Sequence, residues 1–255
     1  MSEPHIPRKR FGQNFLKDQN IILKIVEALH PKPGETLVEI GPGQGALTIP
    51  VLQHISHLHV VEIDRDLSAQ LQQFADKITV HQADALRFDF STLSVASKLR
   101  VFGNLPYNIS TPLLFHLLSF ADSIQDMLFM LQKEVVVRMA AKPDSAEYGR
   151  LSIMMQYACQ VFPLFEVGRE AFTPAPKVTS KIVRLVPYGA ERPFPLAKNY
   201  ARFAKIVATA FQHRRKTLKN ALNALEALDF ASVNIDPKRR PETLSIAEYV
   251  DLSNA

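Results

Sequence analysis

Leu37-Val38-Glu39-Ile40-Gly41-Pro42-Gly43-Gln44-Gly45-Ala46-Leu47 passes from a short β-rich run through three alternate glycines into a stretch with helical pattern. A strand that ends in glycines and reopens as a helix is the turn an open α/β sheet uses to meet a ligand. Without a Cβ, the backbone comes close to the bound molecule. The spacing here is G-x-G-x-G with Pro42 inside it, whereas the pyrophosphate fingerprint wants its third glycine one residue later. The turn therefore predicts a cofactor without phosphates.

Outward from this turn, Leu58-His59-Val60-Val61, Ile78-Thr79-Val80-His81 and Val101-Phe102 are further β-rich runs, separated by helical patterns at 67–74 and 113–118. That alternation predicts βαβ units and a mostly parallel, Rossmann-like sheet of the α/β class. Upstream, Asp18 is placed to cap a helix whose Ile21, Ile22, Ile25, Val26 and Leu29 recur at helical spacing and which ends before Pro31. Downstream, strands are predicted at 127–131, around 161–167 and at 181–186, with one covered and one wet face. Pro187, Gly189, Pro193 and Pro195 read as a linker, and the pattern beyond them is helical. The expected division is a cofactor-binding catalytic domain over 1–187 and a small all-helical domain over 188–255.

Each predicted parallel strand ends in a polar group. Glu62 stands 19 residues after Gly43, the usual place for a carboxylate that takes ribose hydroxyls. Asp84 ends the third strand, where it can accept from an adenine amine or simply cap the next helix. The fourth strand ends in Asn104-Leu105-Pro106-Tyr107. Its amide oxygen and a carbonyl at Pro106 are acceptors for an exocyclic amine, and the Tyr107 ring is a surface for a base, although Asn and Pro also make plain turns. Four consecutive strand ends with polar groups form the ligand crevice of an open α/β sheet.

The 255 residues carry 30 lysines and arginines against 25 acidic residues, a net charge of +5. From Arg192 to Leu225 there are eight basic residues and no acidic one. Lys198, Arg202 and Lys205 share one helix face opposite Phe203, Val207, Ala210 and Phe211, and Arg214-Arg215-Lys216 continues the charge. This pattern predicts contacts to the phosphates of a polyanionic partner, with a solvated helix face as the plainer alternative. The single cysteine, Cys159, excludes an internal disulfide and reads as a buried, inert thiol in a reducing compartment. The polar N-terminus and the lack of a long apolar run predict a soluble, cytoplasmic protein. Scattered histidines and a lone cysteine offer no metal set.

These motifs resemble the ribosomal RNA adenine dimethyltransferase family, most closely its bacterial small-subunit branch. The segments that carry the likeness are Arg10-Phe11-Gly12-Gln13-Asn14-Phe15-Leu16, Val38-Glu39-Ile40-Gly41-Pro42-Gly43, Glu62-Ile63-Asp64, Asp84-Ala85, Asn104-Leu105-Pro106-Tyr107-Asn108-Ile109-Ser110 and Phe172-Thr173-Pro174-Ala175-Pro176-Lys177-Val178. Arg8-Lys9-Arg10 and Tyr148-Gly149-Arg150-Leu151-Ser152 point to the small-subunit branch.

The resemblance implies an S-adenosylmethionine-dependent enzyme that dimethylates two adjacent adenosines near the 3′ end of small-subunit rRNA. It implies that Asn14 and Leu16 meet the methionine end of the cofactor, that Gly41 and Gly43 lie beneath it, and that Glu62 holds the ribose and Asp84 the adenine. Asn104 would meet both cofactor and substrate, and Phe172 would pack on the base opposite Tyr107. The expected partner is small-subunit rRNA within a 30S particle, bound by a monomer without metal or membrane. A large-subunit rRNA methyltransferase would share these motifs, whereas a non-catalytic assembly factor is disfavoured by the intact Asn104, Tyr107 and Phe172. A nicotinamide-dependent dehydrogenase is disfavoured by the glycine spacing.

Overall fold

The computed structural model describes residues 13–94, 97–189, 191–225 and 228–255. Arg8-Lys9-Arg10 and the first three residues of the motif that begins at Arg10 lie outside them. Contacts divide the chain into two units, one of residues 1–136 and 162–187 and one of residues 137–161 and 188–255. The chain crosses between them within a helix and within a strand, as well as at the predicted linker.

The first unit opens with β1 (Phe15–Leu16), α1 (Gln19–Leu29), β2 (Thr36–Ile40) and α2 (Thr48–Val51). It continues through β3 (Leu58–Glu62), α3 (Arg65–Leu71), β4 (Ile78–Gln82), β5 (Leu99–Asn104) and α4 (Ser110–Leu118) to β6 (Ile124–Gln132). Helix α5 (Lys133–Met139) leads out of it, and α6 (Arg150–Ala158) belongs to the second unit. Strand β7 (Cys159–Val167) leads back, followed by β8 (Phe172–Thr173) and β9 (Ser180–Pro187). Among the described residues the main sheet has seven strands in the order β4-β3-β2-β5-β6-β9-β7. Strands β4, β3, β2, β5 and β6 run parallel, and β9 pairs antiparallel with β6. The chain leaves β2 toward β3 and β4, then returns to β5 on the other side of β2. A crevice must open between the carboxyl ends of β2 and β5, where the crossovers diverge.

The predicted strands thus form, in the mostly parallel sheet expected. Asp18 caps α1, its carboxylate accepting from the amides of Asn20 and Ile21 at 2.9 and 3.2 Å. The expected wet face fails for β6, in which Asp126 through Leu131 are all buried. It lies between β5 and β9 inside the sheet, and strands covered on both faces lose the alternation that a half-exposed strand shows. At the edge, β7 keeps Phe162 and Leu164 exposed.

A buried ion cluster joins α1 to the sheet. Arg100 donates from Nε and Nη2 to both carboxylate oxygens of Asp126 at 2.7 and 3.0 Å, and from Nη1 to Glu35 at 2.8 Å. The same guanidinium caps the end of α1, reaching the carbonyls of Leu29 at 2.6 Å and His30 at 3.2 Å. Arg184 adds donors to Asp126 and to the carbonyl of Ala28. The helix carbonyls left without intrahelical partners are satisfied by sheet residues. Removing one member would strand a buried charge at a cost of about 3–5 kcal/mol.

In the second unit, α7 (Tyr200–Gln212) buries Phe203, Ile206, Val207 and Ala210 and is capped by Asn199, which accepts from the Arg202 amide at 3.0 Å. Lys198 therefore lies before the helix, not on its face. Short α8 (Leu218–Ala221) and α9 (Ile246–Asn254) complete the unit, with turns over much of the chain between them. Residues 137–161 join this unit rather than the first because Tyr157 of α6 packs its ring 4.5 Å from that of Phe203, and the Tyr148 hydroxyl donates to the Leu244 carbonyl at 3.0 Å. No described helix is long and apolar enough to cross a membrane.

The β2–β5 approach leaves no room for a side chain at Gly103, where a Cβ would stand 2.3 Å from the backbone oxygen of Ile40. Gly103→Ala is expected to cost about 1–3 kcal/mol in chemical denaturation, as overpacking against backbone does.

Candidate active site

The glycine turn sits at the mouth of the crevice. Gly41 has φ +66° and Gly43 +58°, conformations that L side chains rarely adopt, and the Gly41 amide donates to Val61 at 2.9 Å, tying the end of β2 to β3. A Cβ on Gly43 would lie 3.1 Å from the Phe15 ring. That ring is brought there by β1, which pairs antiparallel with β8 so that Phe15 faces Thr173 and Leu16 faces Phe172. The Lys17 amide extends the pairing to the Ala171 carbonyl at 2.8 Å. Asn14 and Leu16 thereby reach the cavity wall, as does Gln13.

Four carboxylates cluster at the ends of β2, β3 and β4. Glu62 is 5 % exposed and accepts from the amides of Asp64 at 2.9 Å and Gly43 at 3.2 Å. Burial raises its pKa, and these backbone donors only partly offset that. Glu39, 2 % exposed, accepts from the Thr48 hydroxyl at 2.6 Å. Its pKa is pushed up to about 8 by burial, with the charge of Glu62 acting in the same direction and Thr48 against it. Asp64 is wholly buried, caps α3 through the Asp66 amide at 3.0 Å, and accepts from the Gln13 side chain at 3.2 Å. Asp84 caps a turn rather than a helix, its Oδ1 accepting from the Leu86 amide at 3.0 Å, and it lines the cavity.

Asn104 ends β5 beside the glycine turn. Its Nδ2 donates to the Asn14 carbonyl at 2.9 Å, which leaves Oδ1, the amide's sole acceptor, for a ligand. The Pro106 carbonyl accepts the Ile109 amide at 3.2 Å in the turn that opens α4, so one of its two lone pairs remains. Tyr107 lines the cavity, half-buried. Phe172 does not reach the wall as expected. It is 2 % exposed, paired opposite Leu16, and lies in the core with Leu16, Val167 and Ala171. Among the described residues the aromatic side chains lining the wall are Phe15 and Tyr107.

The cavity holds about 280 Å³, and its lining includes Glu39, Glu62, Asp84 and the amides of Gln13, Asn14, Gln44, Asn104 and Asn108 beside mostly apolar residues and glycines. Among the described residues no lysine, arginine or histidine lines it. Among these lining residues a pyrophosphate would find no cation, whereas a sulfonium and an ammonium group would meet three carboxyl groups, and ribose hydroxyls would find acceptors. The donor set fits S-adenosylmethionine.

The fold and this cavity define a methyltransferase that uses S-adenosylmethionine. The family model described as ribosomal RNA adenine dimethylase matches residues 5–255. The chain belongs to that family. It is 57 % identical to the ribosomal RNA small subunit methyltransferase A of Aromatoleum aromaticum, over 100 % of this chain and 95 % of that protein. It is 54 % identical to the protein of the same name from Proteus mirabilis, over 98 % and 93 %. In fold it is similar to a dimethyladenosine transferase from Plasmodium falciparum, with a TM-score of 0.79 at 24 % identity over 93 % of this chain and 95 % of that one. The 23S rRNA methyltransferase ErmE shares the fold with a TM-score of 0.68 at 23 % identity, over 94 % and 98 %.

The six basic residues predicted for RNA lie in the second unit and do not act alike. Arg215, Lys216 and Lys205 are exposed and Arg202 is half-buried. Arg214 is half-buried, its guanidinium donating to the carbonyls of Ala146 at 2.6 Å and Ser145 at 3.1 Å, with Glu242 4.0 Å away. Lys198 donates to the Asn254 carbonyl, the end of α9, at 3.4 Å. Cys159 is buried, and burial pushes its thiol up to about 12, which makes it inert as expected.

The sequence reading gave no role to Glu39, Asp64, Gln13 or Phe15. Glu39 had a signal: a lone charge inside an otherwise apolar, buried parallel strand. Its raised pKa has a consequence for the ligand-free protein. Between the unfolded value near 4.5 and about 8 the folded state keeps a proton that the unfolded state releases, so stability falls as pH rises through this window. Glu39→Gln removes that slope. Its Tm is expected to match the parent near pH 4 and to exceed it increasingly toward pH 8 in thermal scans.

Proposed function

We propose that the chain transfers methyl groups from S-adenosylmethionine to the exocyclic amines of two adjacent adenosines near the 3′ end of 16S rRNA. On this reading it acts as a cytoplasmic monomer on a 30S particle and takes part in small-subunit biogenesis. Family membership and relatives named for the small subunit, at 54–57 % identity over nearly the whole chain, support this over a large-subunit substrate. The observation that carries the chemistry is the Asn104 amide, fixed by its bond to Asn14 with its oxygen left for an amine.

S-Adenosylmethionine, when bound, supplies a methyl whose bond to sulfur breaks as the bond to nitrogen forms, with the electron pair staying on sulfur. The residues provide alignment in a site shielded from water. Asn104 Oδ1 and the free lone pair of the Pro106 carbonyl accept the two amine hydrogens and draw them out of the ring plane, localising the nitrogen lone pair. Tyr107 holds the base by stacking. The proton lost after N–C bond formation is acidic enough to pass to water without a tuned base. Glu62 holds the ribose, Asp84 the adenine amine, and Asn14 and Leu16 the methionine end, over the floor made by Gly41 and Gly43. Phe172 supports β1 from the core.

Asn104→Ala is expected to lower the rate of methyl transfer to 30S particles by about 10²-fold or more with an unchanged Tm, since no neighbouring side chain replaces the acceptor. Turnover near that of the parent would sink the assignment. In the second unit, Arg215→Ala with Lys216→Ala should weaken particle binding and flatten its log–log salt dependence by about 0.7–0.9 for each phosphate no longer neutralised, without changing S-adenosylmethionine affinity in calorimetry. Arg214→Ala should instead lower the Tm, because its donors serve the loop at residues 145 and 146.

A further inference from the structure

Tyr107 is tethered at both ends. Its carbonyl accepts the Ser110 hydroxyl at 3.1 Å, and its phenol oxygen shares a hydrogen bond of 2.6 Å with Ser180 Oγ. Ser180 is fully buried at the first position of β9, in register with Gln132 of β6. One residue further on, the Lys133 amide donates to the Thr179 carbonyl at 2.9 Å, which closes the strand ends. Strand β6 pairs with β5 so that Met130 stands opposite Asn104. The ring offered to the base and the amide offered to its amine thus hang from one block of three strands. Burial raises the Tyr107 pKa, so the phenol stays a neutral hydrogen-bonding group.

We propose that Ser180 is a positioning residue which, through the Tyr107 hydroxyl, locks the stacking ring and so governs the second methyl transfer more than the first. The inference rests on the reading of Tyr107 as the base's stacking surface. Each transfer forms one N–C bond, breaks one S–C bond and releases one proton, so the pair of transfers uses both amine hydrogens and two molecules of S-adenosylmethionine. In the first round two N–H groups orient the amine at Asn104 and Pro106. In the second round one N–H remains, and a methyl group must be accommodated where its partner was. The base then depends more on its stacking partner to place the nitrogen lone pair, and a small displacement of a reacting atom costs rate steeply. A ring free to rock affects the step with one hydrogen bond more than the step that keeps both.

The test uses the full chain, 30S particles lacking these methyl groups, and labelled S-adenosylmethionine. Single-turnover rates of both transfers and the ratio of monomethyl- to dimethyladenosine are read by mass spectrometry, with cofactor affinity and Tm as controls. Ser180→Ala and Tyr107→Phe should each slow the second transfer about tenfold more than the first, so that monomethyladenosine accumulates. The double variant should be no worse than either single one, because both remove the same bond. Ser180→Thr, which keeps the hydroxyl, should restore dimethylation. A monomethyl-to-dimethyl ratio at the parent value in both Ser180→Ala and Tyr107→Phe, whatever their Tm, would overturn the proposal. Tyr107→Ala separates the two readings. Loss of both transfers in that variant upholds stacking and leaves Ser180 to be judged by the ratio, whereas parental rates would overturn the stacking role and this inference with it.

Discussion

The backbone contact between β2 and β5 organises the molecule. Where Gly103 passes the Ile40 carbonyl there is no space for even a methyl group, so the two strands approach to a distance that only glycine allows. One residue further on, Gly41 leaves β2 with positive φ and Asn104 ends β5. The glycine turn and the Asn104 amide become neighbours because the strands that carry them cannot separate. The crossovers to β3 and β4 leave on one side of this seam and the chain returns on the other, which opens the cavity above it.

Charge is segregated within the first unit. At the end away from the cavity, Arg100 and Arg184 neutralise Asp126 and cap the last carbonyls of α1. At the cavity end, Glu39, Glu62 and Asp84 face a space that no basic side chain lines among the described residues. Buried carboxylates without cations are costly, and the raised pKa values of Glu39 and Glu62 express that cost. The same arrangement suits a ligand that brings positive charge and hydroxyl groups. The site is therefore less stable empty than a neutral one would be, a common trade in ligand-binding clefts.

The sequence by itself determined the class of fold, because hydrophobic runs of strand length alternated with helical periods and the glycines stood where a strand turns into a helix. It also determined the polar strand ends, since Glu62, Asp84 and Asn104 each follow a short apolar run and local order suffices to place them. The cap at Asp18 and the inert Cys159 were legible for the same reason: each depends on neighbours within a few residues.

Only the tertiary structure decided what depends on pairing between distant segments. Phe172 is enclosed by core residues from distant segments, and the hydroxyl contact between Tyr107 and Ser180 follows from the antiparallel return of β9. Arg214 looked like part of one basic cluster, yet folding commits it to backbone carbonyls about seventy residues away while Arg215 remains exposed. Residues 137–161 join the second unit because Tyr148 and Tyr157 bury their rings there, although no composition change marks the crossing. A linear pattern records which face of an element is apolar, whereas register, pairing partner and enclosure are set by contacts that a local window does not contain.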